Sequence, residues 1–182
     1  MEQLQTAGHG AISVRSLASC ANLSAGAPYY HFGTRRGLLA ALALEGFGRL
    51  GQQAQDLVDR FADDPRHTLV ALAHGFVGFA LENPYLFDLM YESELTHPVD
   101  PVLQPSFKAM FNIIVDAIAA ARGPVDRQQN VIRAVSFWTS IFGLARLLRL
   151  QLLDPFFEGQ ALDVRGLMIE EAVDSALRTA SA

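Results

Sequence analysis

Residues 13–39 read SVRSLASCANLSAGAPYYHFGTRRGLL, and the fold of the chain is read outward from them. Ser13 can cap a helix, because its hydroxyl accepts from the unpaired amides of an opening turn. Leu17, Ala18 and Ala21 recur at helical spacing on one face. Asn22 falls where the chain must reverse, and asparagine tolerates the left-handed conformation that such a turn needs. Leu23 fills the corner, Ser24 caps a second helix, and Tyr29, Tyr30 and Phe32 give that helix an aromatic end. Gly33 and Thr34 form the next stop and cap, and Arg35 and Arg36 open a third, long helix. Helix, tight turn, helix is the arrangement known as helix-turn-helix.

The run Ser-x-x-x-Leu-Ala, followed by Leu-Ser-x-x-x-x-Tyr-x-His-Phe-x-Thr-Arg-x-x-Leu, resembles the DNA-binding signature of the tetracycline-repressor-type (TetR) family of transcription regulators. Ser13, Leu17, Ala18, Leu23, Ser24, Tyr29, His31, Phe32, Thr34, Arg35 and Leu38 carry the resemblance. Ala27-Pro28-Tyr29 resembles one branch of that family. The run NPYLFDLM from Asn83 to Met90, and Trp138 followed by Phe142-Gly143, resemble the C-terminal domain of the same branch. That domain has a Trp, then His-Gly, in its long penultimate helix; here Phe142 replaces the histidine, and no ligand role of a histidine carries over. The family also has a full helix ahead of the motif. Only Leu4, Thr6 and Ala7 stand here before Gly8-His9-Gly10, which reads as a helix stop and loop. Either the start lies upstream of Met1, or most of that first helix has been lost.

Composition sets wider bounds. The chain has 182 residues, 51% of them apolar, enough for a substantial core. Its formal charge of −5 does not by itself suggest a nucleic-acid partner. The distribution does so weakly: residues 1–50 carry a net +2 and the remainder a net −7. Cys20 is the only cysteine, so no internal disulfide forms and a reducing compartment fits. No run approaches the roughly 18 apolar residues of a membrane span, and the N-terminus lacks a signal pattern. The expectation is a cytoplasmic protein with no membrane partner.

Further along, the periodicity predicts helices only. Thr34 to about Phe61 forms one long helix, with Leu38, Leu39, Leu42, Phe47, Leu50, Leu57 and Phe61 on its buried stripe. Gly46, Gly48 and Gly51 weaken its middle and serve either bending or close packing. Pro65 starts a second helix that runs to Glu82, Asn83-Pro84 breaks it, and a short helix spans residues 85–91. Residues 92–105 read as loop, and 106–121 as helix. Residues 126–153 form the next long helix, which Asp154-Pro155 closes, and 163–179 form the last. The expected class is all-α. Residues 1–50 make a helix-turn-helix domain, truncated at its N-terminus and joined by the long helix to a helical-bundle effector-binding and dimerisation domain, 51–182.

Three sites follow. The recognition helix runs from about Ser24, itself a DNA-binding candidate, to Phe32; Ala25, Gly26, Pro28, Tyr30 and His31 face outward, with no Arg, Lys, Asn or Gln for bidentate base contacts. Readout then rests on Tyr30, His31 and apolar contact with thymine methyls. The resemblance assigns Tyr29 and His31 in part, and Thr34 and Arg35, to the phosphate backbone. Free amides at a helix start plus a guanidinium also make an anion site, and Arg15 can clamp a phosphate from the preceding helix. A second site gathers Phe76, Phe79, Tyr85, Met90, Phe111, Trp138 and Phe142, which serve either as core or as the lining of a pocket for a small apolar or aromatic effector. A third uses the last two helices. Val131, Val135, Ile141, Leu144, Leu147, Leu148, Leu150 and Leu152 in one, and Leu167, Met168, Ile169, Val173 and Leu177 in the other, exceed what one core face needs. The surplus calls for a homodimer partner.

Catalytic constellations are missing from the pattern. His67 and His74 lie seven apart, too far for a His-x-x-x-His ligand pair, and Glu92 and Glu94 have no histidine or cysteine cluster beside them. No cofactor, metal or catalytic residue is expected. The resemblance implies a ligand-responsive DNA-binding regulator, a homodimeric repressor that its effector releases from a double-stranded operator. The alternative is a dimeric small-molecule-binding protein that has lost DNA binding along with its first helix.

Overall fold

The computed structural model describes residues 34–96, 99–123, 126–157 and 163–178. Seven helices occur among them: α1 Arg35–Arg60, α2 Pro65–Glu82, α3 Pro84–Tyr91, α4 Gln104–Arg122, α5 Arg127–Arg149, α6 Asp154–Phe157 and α7 Val164–Leu177. Among the described residues there is no strand, only an isolated antiparallel bridge between Thr96 and Val99. The fold is all-α, as expected from the periodicity.

Local chemistry starts several of the helices where the sequence signals it. Thr34 Oγ1 accepts from the Gly37 amide at 3.0 Å, capping α1. Asp64 Oδ1 accepts from the His67 amide at 3.0 Å ahead of Pro65, and Asp163 Oδ1 accepts from Gly166 at 3.0 Å ahead of α7. Asn83 leaves the helical region at φ −127°, ψ 55°, and Pro84 opens α3.

One helix end departs from expectation. The 126–153 pattern stops as a helix at Arg149. Gln151 adopts φ 55°; its amide donates to the Leu148 carbonyl at 3.1 Å, and the Leu152 amide donates to Leu147 at 3.0 Å. This is a Schellman stop built on a glutamine instead of a glycine, so no residue type announces it. Asp154-Pro155 then opens the short α6 where a simple break was expected.

The chain divides into two compact units, each described by itself: Met1–Leu50 with Asn83–Lys108, and Gly51–Glu82 with Ala109–Ala182. In the first, α1 buries Leu38, Leu39, Ala43, Phe47 and Leu50, while α3 buries Leu86, Phe87, Leu89 and Met90. Phe47 makes edge-on or tilted ring contacts with Tyr91 at 5.4 Å and Phe107 at 4.8 Å. Burial pushes the Tyr91 phenol well above its ordinary pKa, so it stays neutral. In the second unit α2, α5 and α7 pack pairwise, and Leu69, Val77, Ile141, Leu144, Ile169 and Val173 are buried there. Of the expected α1 stripe, Leu42, Leu57 and Phe61 are only half-buried, and Leu81 of α2 is exposed.

Charged groups tie the second unit at its edges. Arg66 Nη2 donates to Glu170 Oε2 at 2.7 Å and Asp174 Oδ1 at 2.6 Å. Arg122 Nη1 donates to the carbonyls of Leu177 (3.3 Å) and Arg178 (2.9 Å), and Arg133 Nη1 to those of Ser175 (3.4 Å) and Ala176 (3.1 Å). Two guanidiniums thus hold the carboxyl end of α7, where the orphan carbonyls and the helix dipole favour a cation. Burial, then the charge of Arg122, lowers the Arg133 pKa.

Contrary to the expectation of no span-length apolar run, α5 is long and apolar enough, by length and composition, to cross a membrane. It is a packing helix of the second unit, yet only 28% of its apolar stretch is buried. Its outward side exposes Ile132 and Val135 among Ser136, Thr139 and Ser140.

Candidate nucleic-acid interface and effector region

At the start of α1, Thr34 is exposed and its hydroxyl oxygen is engaged by Gly37, which leaves the hydroxyl proton available to donate. Arg35 and Arg36 follow directly. Arg35 Nη1 donates to Glu94 Oε1. Arg36 Nε donates to Asp100 Oδ2 at 2.8 Å, and its Nη1 to the Glu94 carbonyl at 3.1 Å. A helix start that carries two guanidiniums is an anion-binding arrangement in charge. Here acids from residues 94 and 100 meet both guanidiniums.

In the second unit Phe76 meets Phe142 at 6.4 Å between ring centroids, and Trp138 meets Phe142 at 5.6 Å. All three are half-buried, as is Phe111, whereas Phe79 is 5% exposed. His74 Nδ1 lies 3.4 Å from Arg165 Nη2. Tyr85 and Met90 belong to the first unit, where Tyr85 is exposed and Met90 is buried against Gly46.

Two grooves open on the second unit. One, of about 300 Å³, lies among α1, α2 and α4; Val58, Pro65, Ile113 and Ala117 form part of its wall and Asp116 is its charged member. The other, of about 440 Å³, runs between α5 and α7 past Ile132, Arg133, Ser136, Ser140, Ala172 and Ser175. None of the seven aromatic and methionine residues expected at an effector pocket lines either groove. Among the described residues, no group of three or more His, Cys, Asp or Glu side chains is placed to hold a metal ion.

A family model described as "Tetracyclin repressor-like, C-terminal domain" matches residues 69–173, which take in most of α2, all of α3 to α6 and most of α7. The chain belongs to this family. It is a family of regulators and not of enzymes. Among solved structures, a protein of unknown function from Rhodococcus sp. RHA1 is 28% identical, with a TM-score of 0.79 over 97% of this chain and 89% of that one. The TetR family transcriptional regulator PfmR from Thermus thermophilus is 16% identical, with a TM-score of 0.67 over 100% of this chain and 96% of that one, a likeness of fold. No curated protein matches the chain.

For this TetR-family chain, Arg15, Ser24, Ala25, Gly26, Pro28, Tyr29, Tyr30 and His31 lie outside the described residues, as do Cys20 and the segment ahead of the motif. Thr34 and Arg35 stand together at the start of α1. Phe76, Trp138 and Phe142 come together, and Tyr85 and Met90 stand in the other unit. Sequence reasoning missed Glu94 and Asp100 as the partners of Arg35 and Arg36. They are 59 and 64 residues away along the chain, and no spacing rule links such positions.

Proposed function

We propose that the chain is a ligand-responsive, homodimeric DNA-binding transcription regulator, a repressor of the cytoplasm. Residues 1–50 serve DNA and residues 51–182 serve the effector and the dimer. What supports this most is a body that matches the family, entered by a capped α1 whose Thr34 and Arg35 are residues of the helix-turn-helix sequence motif. Thr34 and Arg35 hold the phosphate backbone, Arg15, Tyr29 and His31 add phosphate contacts, and Ser24, Ala25, Gly26, Pro28 and Tyr30 face the groove.

The effector is a small apolar or aromatic molecule bound by Phe76, Phe79, Phe111, Trp138 and Phe142, all of the second unit. Its binding biases α1 and so the two recognition helices. A coupling of about 1–3 kcal/mol suffices for such release. The dimer forms through α5 and α7, whose exposed Ile132, Val135, Leu167 and Met168 need cover.

The test is fluorescence anisotropy with a duplex from the chain's own promoter at two salt concentrations. Specific binding that weakens steeply with salt is expected. Arg35→Ala should weaken binding to all sequences and flatten the salt slope by about one. An unchanged slope removes the phosphate role of Arg35. No specific binding at either salt concentration would leave a dimeric ligand-binding protein as the better reading.

A further inference from the structure

We propose that Glu94 competes with DNA phosphate for Arg35, so that the segment following α3 sets the affinity of the DNA-facing end of α1. The inference rests on the reading of Arg35 as a phosphate ligand and adds a residue that neither the motif nor the family match assigns.

The two arginine pairs differ in kind. Arg36 bonds both the Asp100 carboxylate, whose side chain is only 15% exposed, and the Glu94 backbone carbonyl. That is an anchor. Arg35 and Glu94 side chains are 40% and 51% exposed, so an incoming anion can reach this pair. The acidic segment is also well built. Ser93 Oγ donates to the Leu89 carbonyl at 2.7 Å and accepts from the Leu95 amide at 3.1 Å. Thr96 Oγ1 donates to the Ser93 carbonyl at 2.8 Å, and Leu95 is fully buried. Glu94 therefore projects from a backbone held on both sides.

A carboxylate offers the guanidinium fork the same oxygen pair that a phosphate offers. A phosphate that takes Arg35 must exchange with Glu94, and the exchange subtracts from the affinity. Exposed pairs of this kind change an equilibrium by about 1.5- to 5-fold.

Glu94→Gln keeps the shape and removes the charge. It should tighten binding to the promoter duplex about 1.5- to 5-fold per site, and Glu94→Ala should do the same. In an Arg35→Ala background neither change should tighten binding, since there is then no guanidinium to release. Equal tightening in both backgrounds would reveal only a general loss of negative charge and overturn the proposal. Weaker or unchanged binding by E94Q, with the R35A effect intact, would overturn it too while leaving the reading of Arg35 standing. If R35A alone leaves binding unchanged, that reading fails and the proposal falls with it.

Discussion

Gly46 on α1 lies directly against Met90 on α3: a Cβ placed at Gly46 would stand 2.5 Å from Met90 Sδ and 3.0 Å from Leu86 Cδ1. Met90 is fully buried and Leu86 1% exposed, so neither can swing out into solvent without leaving the core. Of the two uses open to the α1 glycines, Gly46 thus serves close packing. Gly46→Ala should destabilise the chain by about 1–3 kcal/mol through overpacking. At Gly48 a Cβ meets nothing within 4 Å, and Gly48→Ala should stabilise by up to about 1 kcal/mol. Urea unfolding of the two variants reads the opposite signs.

Arg122 and Arg133 hold successive carbonyls at the end of α7. Arg122→Met, which keeps the stem but removes the donors, should cost about 1–2 kcal/mol. The double change with Arg133→Met should cost more than the sum of the two single losses, since each single change also relieves the repulsion between the two guanidiniums. A double-mutant cycle by denaturant titration checks this.

Ile132 and Leu167 are each 58% exposed, on α5 and α7. Charging the surface with Ile132→Glu or Leu167→Glu should convert a dimer to monomer at micromolar concentration with little change in helicity. Light scattering coupled to size exclusion, with circular dichroism, measures both. A wild-type monomer at that concentration would overturn the homodimer.

Trp138 is the chain's only tryptophan and lies 5.6 Å from the Phe142 ring. An apolar aromatic effector that enters this cluster should shift or quench its emission. Phe142→Ala should weaken the response several-fold, whereas Arg35→Ala should leave it unchanged. A saturable emission titration with candidate aromatic compounds reads the outcome.

Arg66 bonds Glu170 and Asp174 with all three side chains about half exposed. Those carboxylates raise the Arg66 pKa, so its charge persists at every working pH. Arg66→Ala should cost no more than about 1 kcal/mol, and less at high salt. Unfolding midpoints in low and high salt test this.

Local chemistry in the sequence determined where most helices begin. Thr34, Asp64-Pro65, Asn83-Pro84 and Asp163 cap or open their helices through groups within a few residues, and such effects act without the rest of the fold. Apolar spacing likewise placed Leu38, Leu39, Phe47 and Leu50 in a core. The tertiary structure alone decided the rest. The α5 stop depends on Gln151 taking a conformation that glutamine does not advertise. Which side of α5 stays open depends on what α2 and α7 already cover. The pairing of Arg35 with Glu94 spans 59 residues, and only a folded backbone brings together charges that far apart in the chain.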